Sequence, residues 1–345
     1  MLTRGADCAA VVKADAYGLG AAAIVPELYK ANCRHFFATH ASEGMAVRTA
    51  LGDYEAQVYL LHGPAGATPE DIAHRKLVPV LNTPGDIEYW SGFAKKTGIK
   101  RSAVIHIDTG MNRLGLSAAE TGWLKNNTDI LKPLDVRYLM SHLACADTPE
   151  HPKNKEQLEK FRALTAQLGI PCRLSFANSA GIFLGADYHF DQVRPGCALY
   201  GINPQNTPSN PMQGVVTLKA RILQIREAAA GETTGYGATY RMPTPVKLAT
   251  ISAGYADGYL RSITGNGMVY VGGQKCPVVG RVSMDAIVAD VTAVKPLPPV
   301  GGWAEIIGQH QTVDDVAAQA GTIGYEILTS LGGRYTRVYA GQETT

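Results

Sequence analysis

Short apolar runs recur through residues 8–200 with polar, helix-compatible segments between them. CAAVV (8–12), HFFATHA (35–41), QVYLLHG (57–63), LVPVLN (77–82), SAVIHID (102–108), DVRYLMSHL (135–143), RLSFAN (173–178) and HFDQVRP (189–195) each read as a strand. The clearest helix is 154–168, NKEQLEKFRALTAQL. Its apolar residues Leu158, Phe161, Leu164 and Leu168 recur at helical spacing, and Asn154 is positioned as a cap. Eight strands alternating with helices predict a (β/α)8 barrel over residues 1–202. An open doubly wound sheet is the alternative, but no GxGxxG follows any strand.

The pattern changes after NPQNTPSNPMQG (203–214), a Pro-, Asn- and Ser-rich stretch that reads as a linker. VVTLKARILQIREA, VKLATISAGY, GMVYVGGQKCPVVG, AIVADV and WAEIIG are strand-like, with Gly and Pro turns, and one helix is expected near 312–320. Residues 203–345 therefore predict a second, mainly β domain. No internal repeat or low-complexity tract appears.

Composition narrows the function classes. Of 345 residues, 46% are hydrophobic and 18% charged, enough for a sizeable core. The 32 basic and 30 acidic residues leave a net charge of +2, so no electrostatic footprint for nucleic acid or an anionic membrane exists. A small substrate is the better expectation. The six cysteines are scattered without a CxxC pair, as reduced thiols rather than a disulfide framework or zinc site, and no metal is expected. Without a signal peptide or a membrane-length apolar run, a soluble cytoplasmic protein is expected.

In a (β/α)8 barrel, functional groups sit just past the C-terminal strand ends. Lys13 and Tyr17 follow the first strand, Arg113 the fifth, Asn178 and Ser179 the seventh, and Arg194, Gly196 and Cys197 the eighth; His142 ends the sixth. Taken alone, Lys13 would be a solvated lysine closing a strand, with Gly18 and Gly20 as breakers. Facing a phosphate-type site in the last two loops, it suggests a phosphorylated aldehyde held as a Schiff base, for which pyridoxal phosphate is the obvious candidate.

These residues lie in motifs that resemble the alanine racemase family: AVVKADAYGLGA (10–21), HIDTGMNRLGL (106–116), SHLACAD (141–147), FANSAG (176–181), VRPGCALYG (193–201), GYGATY (235–240), SAGYADGY (252–259), GRVSMDA (280–286) and IGYEI (323–327). They run in order through almost the whole chain. The resemblance implies a homodimer of barrel-plus-β-domain subunits that interconverts L- and D-alanine, for cell-wall peptidoglycan, with pyridoxal 5'-phosphate. It implies that Lys13 carries the cofactor and that Lys13 and Tyr236 are the two bases, Tyr236 being given to the partner's site. Tyr17, Ser179, Gly196, Cys197 and Tyr325 would hold the phosphate. Arg194 would face the pyridine nitrogen, with His142 bonding Arg194 beside the cofactor. Arg113, Met284 and Tyr255 would contact the substrate or narrow its entry. A broad-specificity amino acid racemase is an alternative. A pyridoxal-phosphate decarboxylase is another, which Arg194 argues against because such enzymes generally put a carboxylate there. A non-catalytic cofactor carrier would lack the β domain and the GYGATY and GRVSMDA motifs.

Two departures stand out. Position 106, commonly a lysine in the family and often carbamylated, is His106, so the partner of Arg113 is open, a bound anion such as chloride being one candidate. Family chains also carry a strand and helix before the lysine strand, which here lies almost at the N-terminus. If that strand completes the β domain, an exposed edge is expected there.

Overall fold

The computed structural model describes residues 5–340. Two compact units divide the chain: residues up to Leu199 with Pro204–Asn210, and Tyr200–Asn203 with residues from Pro211 on. The Pro- and Asn-rich stretch is thus shared between them.

The first unit is the expected barrel. Strands β1 (Asp7–Cys8), β2 (Ala10–Val11), β3 (His35–Ala38), β4 (Gln57–Leu60), β5 (Leu77–Leu81), β6 (Arg101–His106), β7 (Leu134–Met140), β8 (Arg173–Asn178) and β9 (Gln192–Arg194) form one sheet. All neighbours are parallel. The apparent ninth strand comes from splitting the first run at Ala9. Its leading half pairs with β9 (Asp7↔Gln192, Cys8↔Val193) and its trailing half with β3 (Ala10↔Phe36, Val11↔Phe37), which closes the barrel. Strands covered on both faces read as unbroken apolar runs. Phe36, Phe37, Val58, Tyr59, Leu60, Val104, Ile105 and Phe176 are accordingly buried.

Helices cover the barrel, and local chemistry sets their starts. Thr68, Thr83 and Ser117 each accept from the backbone N–H three residues on, at 3.1, 3.0 and 3.3 Å. The expected cap Asn154 is not one. The helix Lys153–Leu168 follows Pro152, whose helical backbone starts it a residue early. Asn154 is instead buried in the first turn and donates to the carbonyls of Thr148 (3.0 Å) and Pro149 (3.3 Å). On the covered face, Phe161 stacks on Phe176 with centroids 4.8 Å apart.

In the second unit, β10 (Leu218–Ala228), β13 (Val246–Ile251), β14 (Met268–Val271), β15 (Gln274–Pro277), β16 (Ile287–Asp290) and β17 (Trp303–Ile307) form an antiparallel sheet. Their order is β15-β14-β17-β10-β13-β16. β11 (Thr233–Thr234) and β12 (Tyr240–Arg241) form a separate small hairpin. The sheet's two edges are not left wholly open: a Val278↔Ala289 bridge beyond β15 draws it onto β16. Val313–Ala320 is the expected helix, but a second, Gly324–Ser330, follows it. Seven residues beginning with glycine are too few to show helical periodicity, so the sequence does not announce it.

Candidate active site

Lys13 sits where the first strand run ends, but the chain does not simply turn away. Ala14, Asp15, Ala16 and Tyr17 all take left-handed backbone angles, with φ of 51, 53, 54 and 57°. Left-handed helical geometry costs about 1–2 kcal/mol per non-glycine residue, so the surroundings must hold the segment. The Ala14 N–H donates to Glu43 Oε1 (2.8 Å), and the Ala21 N–H donates to Asp15 Oδ1 (2.7 Å). The Gly18 N–H returns to the Ala14 carbonyl at 2.7 Å. The glycines expected as breakers follow this turn rather than form it.

Arg113 lies on the exposed loop after β6. The loop is pinned at its base: the Leu116 N–H donates to the His106 carbonyl (2.8 Å) and the Asp108 N–H to the Leu116 carbonyl (2.9 Å). The Asp108 carboxylate accepts from the N–H groups of Gly110, Met111 and Asn112. Burial opposes its ionisation, but those three donors outweigh it and hold its pKa below the usual range.

His106 is buried, and its ring has a fixed tautomer. The Asn82 amide nitrogen donates to the carbonyls of Leu61 and Val80, both at 3.0 Å. Asn82 Oδ1 therefore faces His106 Nδ1, 2.9 Å away, and Nδ1 must carry the proton. Gly115, at φ 99°, makes room for the ring: a Cβ there would lie 3.0 Å from His106 Cγ and Cδ2. Burial first, then Arg194, push the His106 pKa down to about 3, so the ring is neutral at physiological pH.

Neutral buried histidine has a consequence for stability. The unfolded chain binds a proton near pH 6.5, whereas the folded ring resists protonation until about pH 3. Stability must fall as pH drops through this window, by about 1.4 kcal/mol per pH unit from this group. Urea unfolding at about pH 7 and about pH 5 should show a smaller acid loss for His106→Gln than for the unsubstituted protein. Equal losses would mean that His106 is not held neutral.

Arg194 is 3% exposed at the end of β9. It donates to Ser175 Oγ (2.6 Å) and to the carbonyls of Ser141 (2.5 Å) and Phe176 (3.3 Å). Burial lowers its pKa to about 10, so it stays charged. Contrary to expectation, among the described residues no hydrogen bond joins His142 to Arg194, whose influence on the ring is electrostatic. His142 lies two residues past β7 rather than ending it. Burial and then Arg194 keep its pKa well below the ordinary histidine value.

A cradle forms from the loops after β8 and β9. Ser179 Oγ accepts from the N–H groups of Gly196 (2.8 Å) and Ala198 (3.3 Å). Buried Tyr17 approaches so closely that a Cβ at Gly196 would run into its hydroxyl. Burial, and then Cys197, raise the Tyr17 pKa, so it is a neutral donor. Cys197 is buried in the adjoining turn. Lys13 Nζ has no protein acceptor in hydrogen-bond reach among the described residues, and its pKa is lowered, first by burial, then by Arg113, against the opposing pull of Glu43.

The remaining expected residues belong to the second unit. Tyr236 projects from a short turn at 72% exposure. Tyr255 and Met284 are also exposed, and their turns are joined: the Tyr255 N–H donates to the Ser283 carbonyl (3.1 Å) and the Ala256 N–H to the Met284 carbonyl (3.0 Å). Tyr325 lies on the helix Gly324–Ser330 and is half-buried. Lys13, Tyr17, Arg113, His142, Ser179, Arg194, Gly196 and Cys197 all belong to the barrel unit. Sequence reading missed Asn82, Ser141, Ser175, the Ala198 amide and Glu43. None carries a local signal, since each acts on a residue distant in sequence.

Residues 1–204 match the family model for the alanine racemase N-terminal domain and residues 215–339 that for its C-terminal domain. Alanine racemase of Brucella canis is 44% identical over 346 residues, covering 96% of this chain and 87% of the relative. That of Rickettsia canadensis is 46% identical over 334 residues, covering 96% and 91%. The crystal structure of alanine racemase from Bartonella henselae with covalently bound pyridoxal phosphate superposes with a TM-score of 0.94 at 43% identity, covering 98% of this chain and 94% of that one. Architecture, motif order and these likenesses agree, and the chain belongs to the alanine racemase family.

Proposed function

We propose that the protein interconverts L- and D-alanine with pyridoxal phosphate, by a two-base mechanism in a site shared between two subunits. The observation that carries this reading is Lys13, with a lowered pKa, directly before the left-handed run Ala14–Tyr17, which brings Tyr17 against the Ser179–Gly196 cradle. The residues fit the cofactor. Lys13 would attach it, the cradle with Cys197 and Tyr325 would take its phosphate, and Arg194 and His142 would meet its ring. When bound, pyridoxal phosphate supplies an electron-withdrawing ring that acidifies the amino acid Cα–H.

Racemisation requires a proton to leave one face of Cα and another to arrive at the opposite face. The Lys13 amine serves one face, and its lowered pKa favours the neutral form that accepts a proton. The Tyr236 hydroxyl serves the other. Its exposure in a single subunit supports delivery to a partner's site. Arg113 orients the substrate carboxylate, and Met284 and Tyr255 narrow the entry. Arg194 only donates, so a ring nitrogen facing it carries no proton of its own, which disfavours the decarboxylase alternative.

No helix among the described residues is long and apolar enough to cross a membrane. In this reading the D-alanine product would feed peptidoglycan synthesis from the cytoplasm. The test is an amino acid panel incubated with enzyme and added pyridoxal phosphate, followed by chiral chromatography. L-alanine should reach an equal mixture of enantiomers, with larger amino acids converted far more slowly. Comparable rates across the panel would reassign the protein as a broad-specificity racemase, and no racemisation would overturn the reading.

A further inference from the structure

We infer that Glu43 is a positioning residue for Lys13. It clamps the left-handed turn through the one carboxylate oxygen that its role as a helix cap does not use. Glu43 lies in the first turn of the helix Ala41–Leu51. Its Oε2 accepts from the N–H groups of Thr39 (2.7 Å) and His40 (3.3 Å), which is ordinary capping. Its Oε1 does something else. It accepts at 2.8 Å from the N–H of Ala14, 29 residues back and directly after Lys13.

A second helix in the same barrel shows that capping does not need a glutamate. At the start of Pro84–Thr97, Asp86 Oδ2 accepts from the N–H groups of Asn82 (2.8 Å) and Thr83 (3.1 Å), the same pair of positions. An aspartate therefore completes this cap. The additional methylene of Glu43 brings Oε1 to the neighbouring loop. There it meets the first amide of a left-handed run, a donor with no carbonyl to reach inside its own turn. Four consecutive non-glycine residues in that conformation persist only where the surroundings hold them. A clamp on the amide beside Lys13 fixes the direction in which the lysine leaves the strand. The inference rests on Lys13 being the residue that attaches the cofactor.

Glu43→Asp separates the two roles, keeping charge and cap while withdrawing the reach to Ala14. Thermal unfolding of the apoprotein should move by no more than about 2 °C. Affinity of the apoprotein for pyridoxal phosphate, followed by the absorbance of the lysine-bound cofactor, should fall about 10- to 100-fold, the loss expected for a charge-assisted hydrogen bond. Unchanged affinity in a folded Glu43→Asp protein overturns the inference, because capping alone would then account for Glu43. Lys13→Ala run alongside keeps the two questions apart. Retention of the bound-cofactor spectrum there faults the assignment of Lys13, whereas its loss there with intact affinity in Glu43→Asp faults only the clamp. Should Glu43→Asp fail to fold, hydrogen exchange in the unsubstituted protein decides. The Ala14 amide must be protected as strongly as the Thr39 amide, and free exchange at Ala14 with protection at Thr39 overturns the proposal.

Discussion

Lys13→Ala should lose the covalent attachment of pyridoxal phosphate and nearly all racemisation. Two functions disappear together in this variant: the amine that attaches the cofactor and the base on one face of Cα. The loss of acid–base catalysis alone is worth about 10²- to 10⁴-fold in rate. The fold should survive, because Lys13 is only partly buried and its ammonium meets no protein acceptor among the described residues. Borohydride reduction followed by peptide mass mapping checks the assignment. Unsubstituted protein should carry the reduced cofactor on Lys13, and the variant should carry none. Label at a different lysine would remove Lys13 from the site.

Mixing two inactive proteins should restore activity, and this is the second large effect. If a site takes Lys13 from one subunit and Tyr236 from its partner, Lys13→Ala and Tyr236→Phe homodimers are each nearly inactive. Unfolding and refolding an equal mixture gives about half mixed dimers by random pairing. In each mixed dimer one site carries both lesions. The other draws an intact lysine from the Tyr236→Phe chain and an intact tyrosine from the Lys13→Ala chain. Activity should recover to about a quarter of the unsubstituted level, half of the sites in half of the dimers. Were both residues supplied by one subunit, every site would retain a lesion and mixing would restore nothing. Native mass spectrometry of the mixture confirms that mixed dimers formed.

How much of this was legible beforehand differs between residues for physical reasons. Strand existence was legible because strands buried on both faces must be continuously apolar, and the buried stretches FFA, VYL and LVPVL are. Lys13, Ser179, Arg194 and Gly196 were legible because the C-terminal strand ends of a barrel converge on one mouth, so position along the chain places them. The helix Gly324–Ser330 was not, being too short for a period to emerge. The cap expected at Asn154 was displaced by Pro152, since a neighbouring residue already held helical angles.

What the amino-acid order determined by itself is therefore the sequence of elements, the change from alternating β/α to mainly β architecture, and the residue types available at each strand end. Tertiary structure alone decided the rest. Barrel closure depends on Ala9 standing between two half-strands that pair with opposite neighbours. The left-handed turn falls on ADAY (14–17), where no residue is a glycine, so local propensity points away from it. Contacts such as Glu43 to Ala14 hold it there. His106 is neutral because burial and then Arg194 oppose its protonation, and its tautomer is fixed because Asn82, 24 residues earlier, presents an oxygen whose orientation two further carbonyls dictate. Each of these outcomes is set by groups brought together only by folding, and neither periodicity nor residue type along the chain contains that proximity.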